Sequence, residues 1–332
     1  MQDPAVTAGN KIAEEETRQP PKLVLVVPCY NEEAILSDTM STLSAMLEKY
    51  ISEGLVTQES FICYIDDGSR DSTWELLLER HRMDHRCRAI KFAANAGHQN
   101  AVWAGMDQAR KWGADCIISL DADLQDDIRA IPEMIGQYMQ GCDVVYGIRK
   151  SRSTDTAFKR DTARLFYALM TRLRVGIIPD HADYRLVSRP VLKALRGFEE
   201  HSLFLRGLFP IIGFKTGKVY YDRLSRKAGE SKYPLRKMLS FAWQGLTSCS
   251  AAPLRLAGLL SLACMLVALL GFIYTLYKYF AGEVIQGWTS LVIIILFLGS
   301  AQLFCLAIMG EYIAKIFTEV RHRPRYIIEK TL

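Results

Sequence analysis

The sequence predicts an α/β fold, a doubly wound and mostly parallel sheet, followed by a two-helix transmembrane hairpin. Three observations carry this. Short, almost wholly apolar runs alternate with helix-compatible stretches through the first half of the chain. Acidic residues stand directly after three of those runs, where an open parallel sheet binds its ligands. Two long stretches near the C-terminus carry no charge.

Taken in order, residues 1–21 are polar, with Glu14, Glu15 and Glu16 in a row and a Pro20-Pro21 pair, and they lack an apolar core. They are expected to form a disordered leader, not a signal peptide. Residues 22–29, rich in Val and Leu, read as a strand buried on both faces, and 33–51 as a helix. The pattern then recurs as strand 61–65, helix 72–81, strand 89–92, helix 99–112, strand 116–120, helix 128–139 and strand 143–146. Residues 22–250 are expected to form one domain. Within it, 158–174 is basic and amphipathic; it fits either a membrane interface or the face of the sheet, and 231–249 is a second interfacial candidate.

No charged residue occurs over 256–277 or 284–310, and each stretch is long enough to cross roughly 30 Å of hydrocarbon as a helix. A short polar turn joins them, which predicts a membrane hairpin over 251–318 and a tail over 319–332. Arg255 precedes the first stretch and Lys315, Arg321, Arg323 and Arg325 follow the second, against Lys278 and Glu283 in the turn. The soluble domain and both termini are therefore expected on the cytoplasmic side. Gly299, Ser300 and Ala301 leave room for close helix approach, as in a homo-oligomer or with a flippase partner.

Composition agrees with a folded, membrane-associated chain: 332 residues, 50% hydrophobic, net charge +5, which excludes general disorder. The 8 cysteines form no CxxC pair and no Cys/His cluster with zinc spacing, so reduced structural thiols are expected. No nucleic-acid partner is expected.

The residues past the strand ends carry the chemistry. They read Pro28-Cys29-Tyr30-Asn31-Glu32-Glu33 after the first strand, Asp66-Asp67-Gly68-Ser69 after the second, and Asp121-Ala122-Asp123-Leu124-Gln125-Asp126-Asp127 after the fourth. Carboxylates crowded on one rim raise one another's pKa and repel unless a cation sits among them. A divalent metal is the simplest resolution, and all-oxygen ligands suit Mg²⁺ or Mn²⁺. The first loop has no GxGxxG and the chain no GxxxxGK[ST], which excludes the common dinucleotide and P-loop cradles. A bound diphosphate would then be neutralised by the metal at Asp121 and Asp123.

With these loops, Asn95-Ala96-Gly97-His98-Gln99, Asp183-Tyr184-Arg185-Leu186, the run from Arg226 through Gly229, Glu230, Ser231 and Lys232 to Tyr233, Pro253-Leu254-Arg255 and Gly310-Glu311-Tyr312-Ile313 complete a set. The chain resembles family-2 glycosyltransferases of the GT-A fold. Within them it is similar to polyprenyl-phosphate glycosyltransferases, which include dolichyl-phosphate mannose synthases, and most of all to two-span bactoprenol glucosyltransferases. The resemblance implies a metal-dependent, inverting transfer of a hexose from a nucleotide sugar to a polyprenyl phosphate, undecaprenyl phosphate in a bacterial cytoplasmic (inner) membrane. UDP-glucose is the first choice of donor, with UDP-N-acetylglucosamine, UDP-galactose and GDP-mannose as alternatives.

The resemblance also assigns residues. Pro28 and Tyr30 would line the base, Glu32 would meet the ribose and Asp67 the base edge. Asp121 and Asp123 would flank the metal and diphosphate, with Gln125 close by. Asp183 would be an active-site carboxylate that orients the donor sugar or basic side chains, or removes a proton, and Arg185 would partner that carboxylate or a phosphate. Arg226, Ser231 and Lys232 would hold the acceptor or the diphosphate. Two departures stand out: Asp126-Asp127 replaces the family's Asp-Pro after Gln125, and Ala96 replaces a common Phe. Against a processive polysaccharide synthase stands the absence of Gln-x-x-Arg-Trp. A catalytically silent membrane scaffold would need none of the acidic strand ends.

Overall fold

The computed structural model describes residues 18–150, 181–198, 200, 203–222, 252–281 and 287–332. Most of the expected leader, the stretches 158–174 and 231–249, and the acceptor candidates Arg226, Ser231 and Lys232 lie outside the described residues.

The chain runs β1 (Leu23–Cys29), α1 (Glu33–Ser52), β2 (Phe61–Asp66), α2 (Thr73–Met83), β3 (Cys87–Phe92), α3 (His98–Lys111) and β4 (Cys116–Ser119). A single 3₁₀ turn (Ile128–Ala130) leads into α4 (Ile131–Met139) and β5 (Val144–Arg149). Then come β6 (His181–Ser188), α5 (Arg189–Leu195), α6 (Leu205–Ile211), β7 (Thr216–Tyr221), α7 (Ala252–Phe280), α8 (Trp288–Val320) and β8 (Ile328–Thr331). The elements expected up to residue 146 are all present with slightly shifted ends. The helix expected from 128 opens as a 3₁₀ turn because Asp127 caps it, accepting from Arg129 N at 3.0 Å, and Pro132 has no N–H to give to the first α-turn.

Every residue of β1 is buried, and its side chains alternate between two cores. Leu23, Leu25 and Val27 join Leu36, Leu43 and Ile135 from the α1 and α4 side, whereas Val24 and Val26 join Ala101, Met106 and Leu192 from the α3 and α5 side. α3 lies tight on the sheet, since a side chain on Gly105 would collide with Val26 and Ile65. Two-sided burial explains why these strands read as unbroken apolar runs.

The sheet order is β7-β5-β6-β4-β1-β2-β3-β8. β1, β2, β3 and β4 are mutually parallel, as are β5 and β7, while β6 runs antiparallel between β4 and β5 and β8 runs antiparallel to β3. The order reverses at β1, where β2 lies on one side and β4 on the other. In open α/β sheets a crevice forms at such a switch point, so the loops after β1 and β4 are placed to hold a ligand.

α7 and α8 are 29 and 33 residues long. At about 1.5 Å per residue each exceeds the roughly 30 Å thickness of a hydrocarbon core. α8 contains a segment, Phe297–Val320, long and apolar enough to cross a membrane; the apolar part of α7, Ala257–Gly271, is shorter. The helices touch near Cys305, whose Sγ lies 3.4 Å from Ser261 Oγ and 3.5 Å from the Ala257 carbonyl. Elsewhere Leu259, Leu266 and Leu270 on α7 and Ile295, Phe304 and Ile313 on α8 are exposed, an apolar surface that water would not stabilise.

Beyond α8 the chain returns to the sheet. Tyr326 stacks on Phe92 with ring centroids 4.8 Å apart, and β8 pairs with β3 through Phe92↔Ile328, Lys91↔Lys330 and Ile90↔Thr331. Ala93 N donates to Ile327 O at 3.0 Å and Leu332 N to Ala89 O at 2.8 Å. A net value of roughly 0.5–1.5 kcal/mol per backbone hydrogen bond makes this strand a measurable fraction of domain stability. Removing residues 327–332 is expected to lower the denaturation midpoint and to speed hydrogen exchange at Ala93 selectively; unchanged exchange there would show that β8 does not cover this edge in solution.

Candidate active site

The loops after β1 and β2 are laced together. Asn31 takes a left-handed turn, φ 52°, that Asn tolerates better than most residues, and its Oδ1 accepts from Arg70 N at 2.9 Å. Asn31 N donates to Ser69 Oγ and Glu32 N to Thr73 Oγ1, each at 3.0 Å. Tyr30 projects from this loop and is 44% exposed, whereas Pro28 is buried in β1 opposite Ile65.

Asp67 is buried at the tip of the second loop. Its Oδ1 accepts from Ala96 N at 2.7 Å, and its Oδ2 from Gly97 N at 2.9 Å and Asn95 Nδ2 at 3.1 Å. Burial pushes its carboxyl above the usual range, against the pull of the two backbone donors. The neighbouring Gly68, φ +68°, lies so close to the same segment that a Cβ would sit 2.6 Å from Asn95 N. Asp67 thus fixes the 95–97 loop and, with it, the start of α3.

The loop after β4 is held from the other side. Leu124, φ 47°, reverses the chain between Asp123 and Gln125, a strained turn for a branched side chain. Asp126 is buried and accepts from Tyr221 Oη at 2.6 Å and Arg149 Nη2 at 3.4 Å, and Tyr184 Oη donates to Asp127 O at 3.2 Å. These bonds give the Asp126-Asp127 departure a structural role: one carboxylate ties the loop to β5 and β7, and the other caps the helix.

Between the loops sits a charged cluster. The Nε2 of His98, first residue of α3, lies 3.7 Å from Asp121 Oδ1 and 3.6 Å from Asp183 Oδ2. Asp183 also accepts from Arg185 Nη2 and from Arg206 Nε and Nη2 at 3.3 and 3.1 Å. Gln99 Oε1 accepts from Leu205 N at 3.0 Å, which fixes α6 and hence Arg206 against α3. Burial alone would raise Asp183, but the guanidinium of Arg206, the imidazole of His98 and the charge of Arg185 outweigh it and hold the carboxyl well below its ordinary value. Burial pushes Asp121 up to about 6, opposed by His98 and reinforced by Asp126, Asp183 and Asp123. Its side chain remains 43% exposed and so is open to solvent. Burial would lower the His98 pKa, yet the two carboxylates raise it overall.

Arg185 is 1% exposed, and its guanidinium lies 4.6 Å from the Phe209 ring centroid. Of the two partners expected for it, it meets the carboxylate. Arg206, 28% exposed, is the arginine of the pair that reaches the open side.

The acidic strand ends converge less than their spacing suggests. Asp66 is buried and accepts from Ser69 N, Asp67 turns to the 95–97 loop, and Asp121 faces His98. Much of the countercharge expected from a metal comes from Arg185 and Arg206, with His98 set between Asp121 and Asp183, and among the described residues no three His, Cys, Asp or Glu side chains are grouped to hold a metal ion. Asp121 and Asp123 nonetheless fit a Mg²⁺-type cation, which takes one or two carboxylates and completes its shell with substrate phosphates and water. His98, Arg206 and Arg149 had been given no role from the sequence. Arg206 carries a legible signal, a lone charge in the otherwise apolar run 203–209.

Comparison with known proteins matches residues 24–196 to the family "Glycosyl transferase family 2" and residues 252–316 to the "GtrB C-terminal hairpin". The chain belongs to glycosyltransferase family 2, with a GT-A-like α/β domain joined to a C-terminal hairpin. It is 45% identical to the uncharacterized glycosyltransferase YkoT of Bacillus subtilis, over 93% of this chain and 91% of the relative. It is 36% identical to an SfII prophage-derived bactoprenol glucosyl transferase of Shigella flexneri, over 93% of this chain and 98% of the relative. A prophage bactoprenol glucosyl transferase homolog of Escherichia coli is likewise 36% identical, over 93% and 99%.

Three substitutions test the construction of the site. Gly68→Ala places a Cβ against Asn95 at a left-handed φ and is expected to destabilise the domain by about 1–3 kcal/mol in chemical denaturation. Asp183→Asn leaves buried Arg185 without its carboxylate and is expected to cost about 3–5 kcal/mol, whereas Arg206→Gln, at a partly open position with the Arg185 pair intact, costs about 1 kcal/mol or less. Equal losses for the two would show that Arg185 does not depend on Asp183.

Proposed function

We propose that the protein transfers a hexose, with inversion, from a nucleotide sugar to a polyprenyl phosphate, releasing the nucleoside diphosphate. UDP-glucose is the favoured donor and undecaprenyl phosphate the acceptor, at the cytoplasmic face of a bacterial inner membrane. The observation that supports this most directly is the reach of the likeness: relatives named bactoprenol glucosyl transferases match the chain through both the glycosyltransferase domain and the hairpin.

In this reading Tyr30 and Glu32, on the loop laced to 69–73, and the Asp67 tip with Pro28 beneath it receive the nucleoside. Asp121, Asp123 and Gln125 face the diphosphate. A Mg²⁺ or Mn²⁺ held by Asp123 and Asp121 would supply positive charge to the departing diphosphate. Arg206 adds a guanidinium on the same side and His98 an imidazole whose charged form the two carboxylates favour, and Arg226, Ser231 and Lys232 serve the acceptor. A phosphate monoester has its second pKa near 6, so the acceptor oxygen is already largely ionised at neutral pH. Asp183, kept ionised by two arginines, has little affinity for a proton, and we assign it the orientation of Arg206 and His98 and not general-base catalysis.

The test is transfer itself. Detergent-purified protein with undecaprenyl phosphate, Mg²⁺ or Mn²⁺ and a panel of labelled UDP- and GDP-sugars is expected to move label from UDP-glucose into the organic phase, and EDTA to stop it. Transfer from another donor corrects the sugar alone. No transfer from any donor, with donor binding absent by calorimetry, rejects the reading.

A further inference from the structure

A recess of about 400 Å³ opens where the segment leaving α8 meets α3 and α5. Trp103, Leu195 and Phe198 give it an apolar floor, and Arg196, His322 and Arg323 stand around it. None of the residues placed in the active site lines it. Its α3 residues begin at Trp103 and end at Asp107, about 8–14 Å along that helix from His98 at 1.5 Å per residue.

The docked tail builds this recess. Arg325 Nη2 donates to Phe198 O at 2.7 Å, and its guanidinium lies 4.6 Å from the Trp103 ring centroid, so this arginine serves as wall. Two acids also line the recess, Asp107 and Glu319. Asp107 is taken up by Arg110 and Lys111 of its own helix, at 2.9 and 2.8 Å. Arg196 and Arg323 are exposed, and among the described residues neither has a carboxylate partner.

We propose that this recess binds the phosphate-bearing headgroup of an anionic phospholipid. Uncommitted guanidiniums suit phosphate oxygens, and the apolar floor suits the carbon chain next to them. Location supplies the second argument: His322 and Arg323 follow within three residues of Val320, the end of the membrane-length helix, which is where lipid headgroups lie. The inference rests on the reading of α8 as a membrane span. A soluble phosphate compound shares the recognition chemistry, so the experiment separates the two sources.

Full-length wild type and the R196Q/R323Q variant, purified in detergent, are titrated with short-chain phosphatidylglycerol, short-chain phosphatidylcholine and inorganic phosphate, and retained lipid is counted by native mass spectrometry. Wild type is expected to retain phosphatidylglycerol over phosphatidylcholine, and the variant to lose that retention about tenfold, with its denaturation midpoint unchanged because both side chains are exposed. Equal retention by the two proteins, or of the two lipids, overturns the proposal. Displacement of phosphatidylglycerol by an equal concentration of inorganic phosphate overturns it in favour of a soluble ligand. Because lipid is counted directly, absence of glycosyl transfer would count against the proposed function and leave this result standing, whereas release of the wild-type chain from membranes by alkaline carbonate would remove the premise common to both.

Discussion

A guanidinium buried as deeply as that of Arg185 is tolerable only beside a carboxylate, and much of the catalytic side of this molecule follows from that pairing. Asp183 lies near the start of β6, next to the strand that ends in the Asp121 loop, and Ser119 Oγ bonds to its carbonyl from that neighbouring strand. Once Asp183 is fixed, Arg206 and His98 gather on its other oxygen from α6 and α3. Four elements distant in sequence thereby become one charged surface beside the switch point of the sheet. In the proposed reaction the same pairing makes Asp183 an anchor for Arg206 and His98.

A second, independent scaffold shapes the loops after β1 and β2. Asp67 spends both oxygens on the 95–97 loop, and the side chains of Ser69, Asp71 and Thr73 accept the amides of 31–33. Neither loop depends on regular secondary structure for its shape. Both are instead fixed by short polar side chains accepting backbone N–H groups, which leaves Tyr30 open to a ligand.

The first half of the fold was legible in the sequence because its strands are buried on both faces, so β1 and β2 appear as apolar runs with nothing to interrupt them. β6 was not, and the reason is chemical. Asp183 and Arg185 lie within that strand, so its pattern is broken by residues the site requires. β8 was hidden for another reason: Ile328–Thr331 is exposed throughout and joins the sheet by backbone pairing, which leaves no hydrophobic periodicity to read. In the site, Asp121 and Asp183 stood out as acids in motifs, whereas His98 and Arg206 acquire meaning only through the fold that brings α3 and α6 together.

The docking of β8 on β3 also fixes an order of events in biosynthesis. A ribosome completes strands β1 to β7 before it makes the two apolar helices, and it makes β8 only after both. Until then the outer edge of β3 has no partner from this chain and remains a template for any other extended segment nearby. The catalytic sheet of this glycosyltransferase is therefore finished only after its hydrophobic hairpin has emerged, so that maturation of the enzyme and delivery of the hairpin to its surroundings are tied together in time.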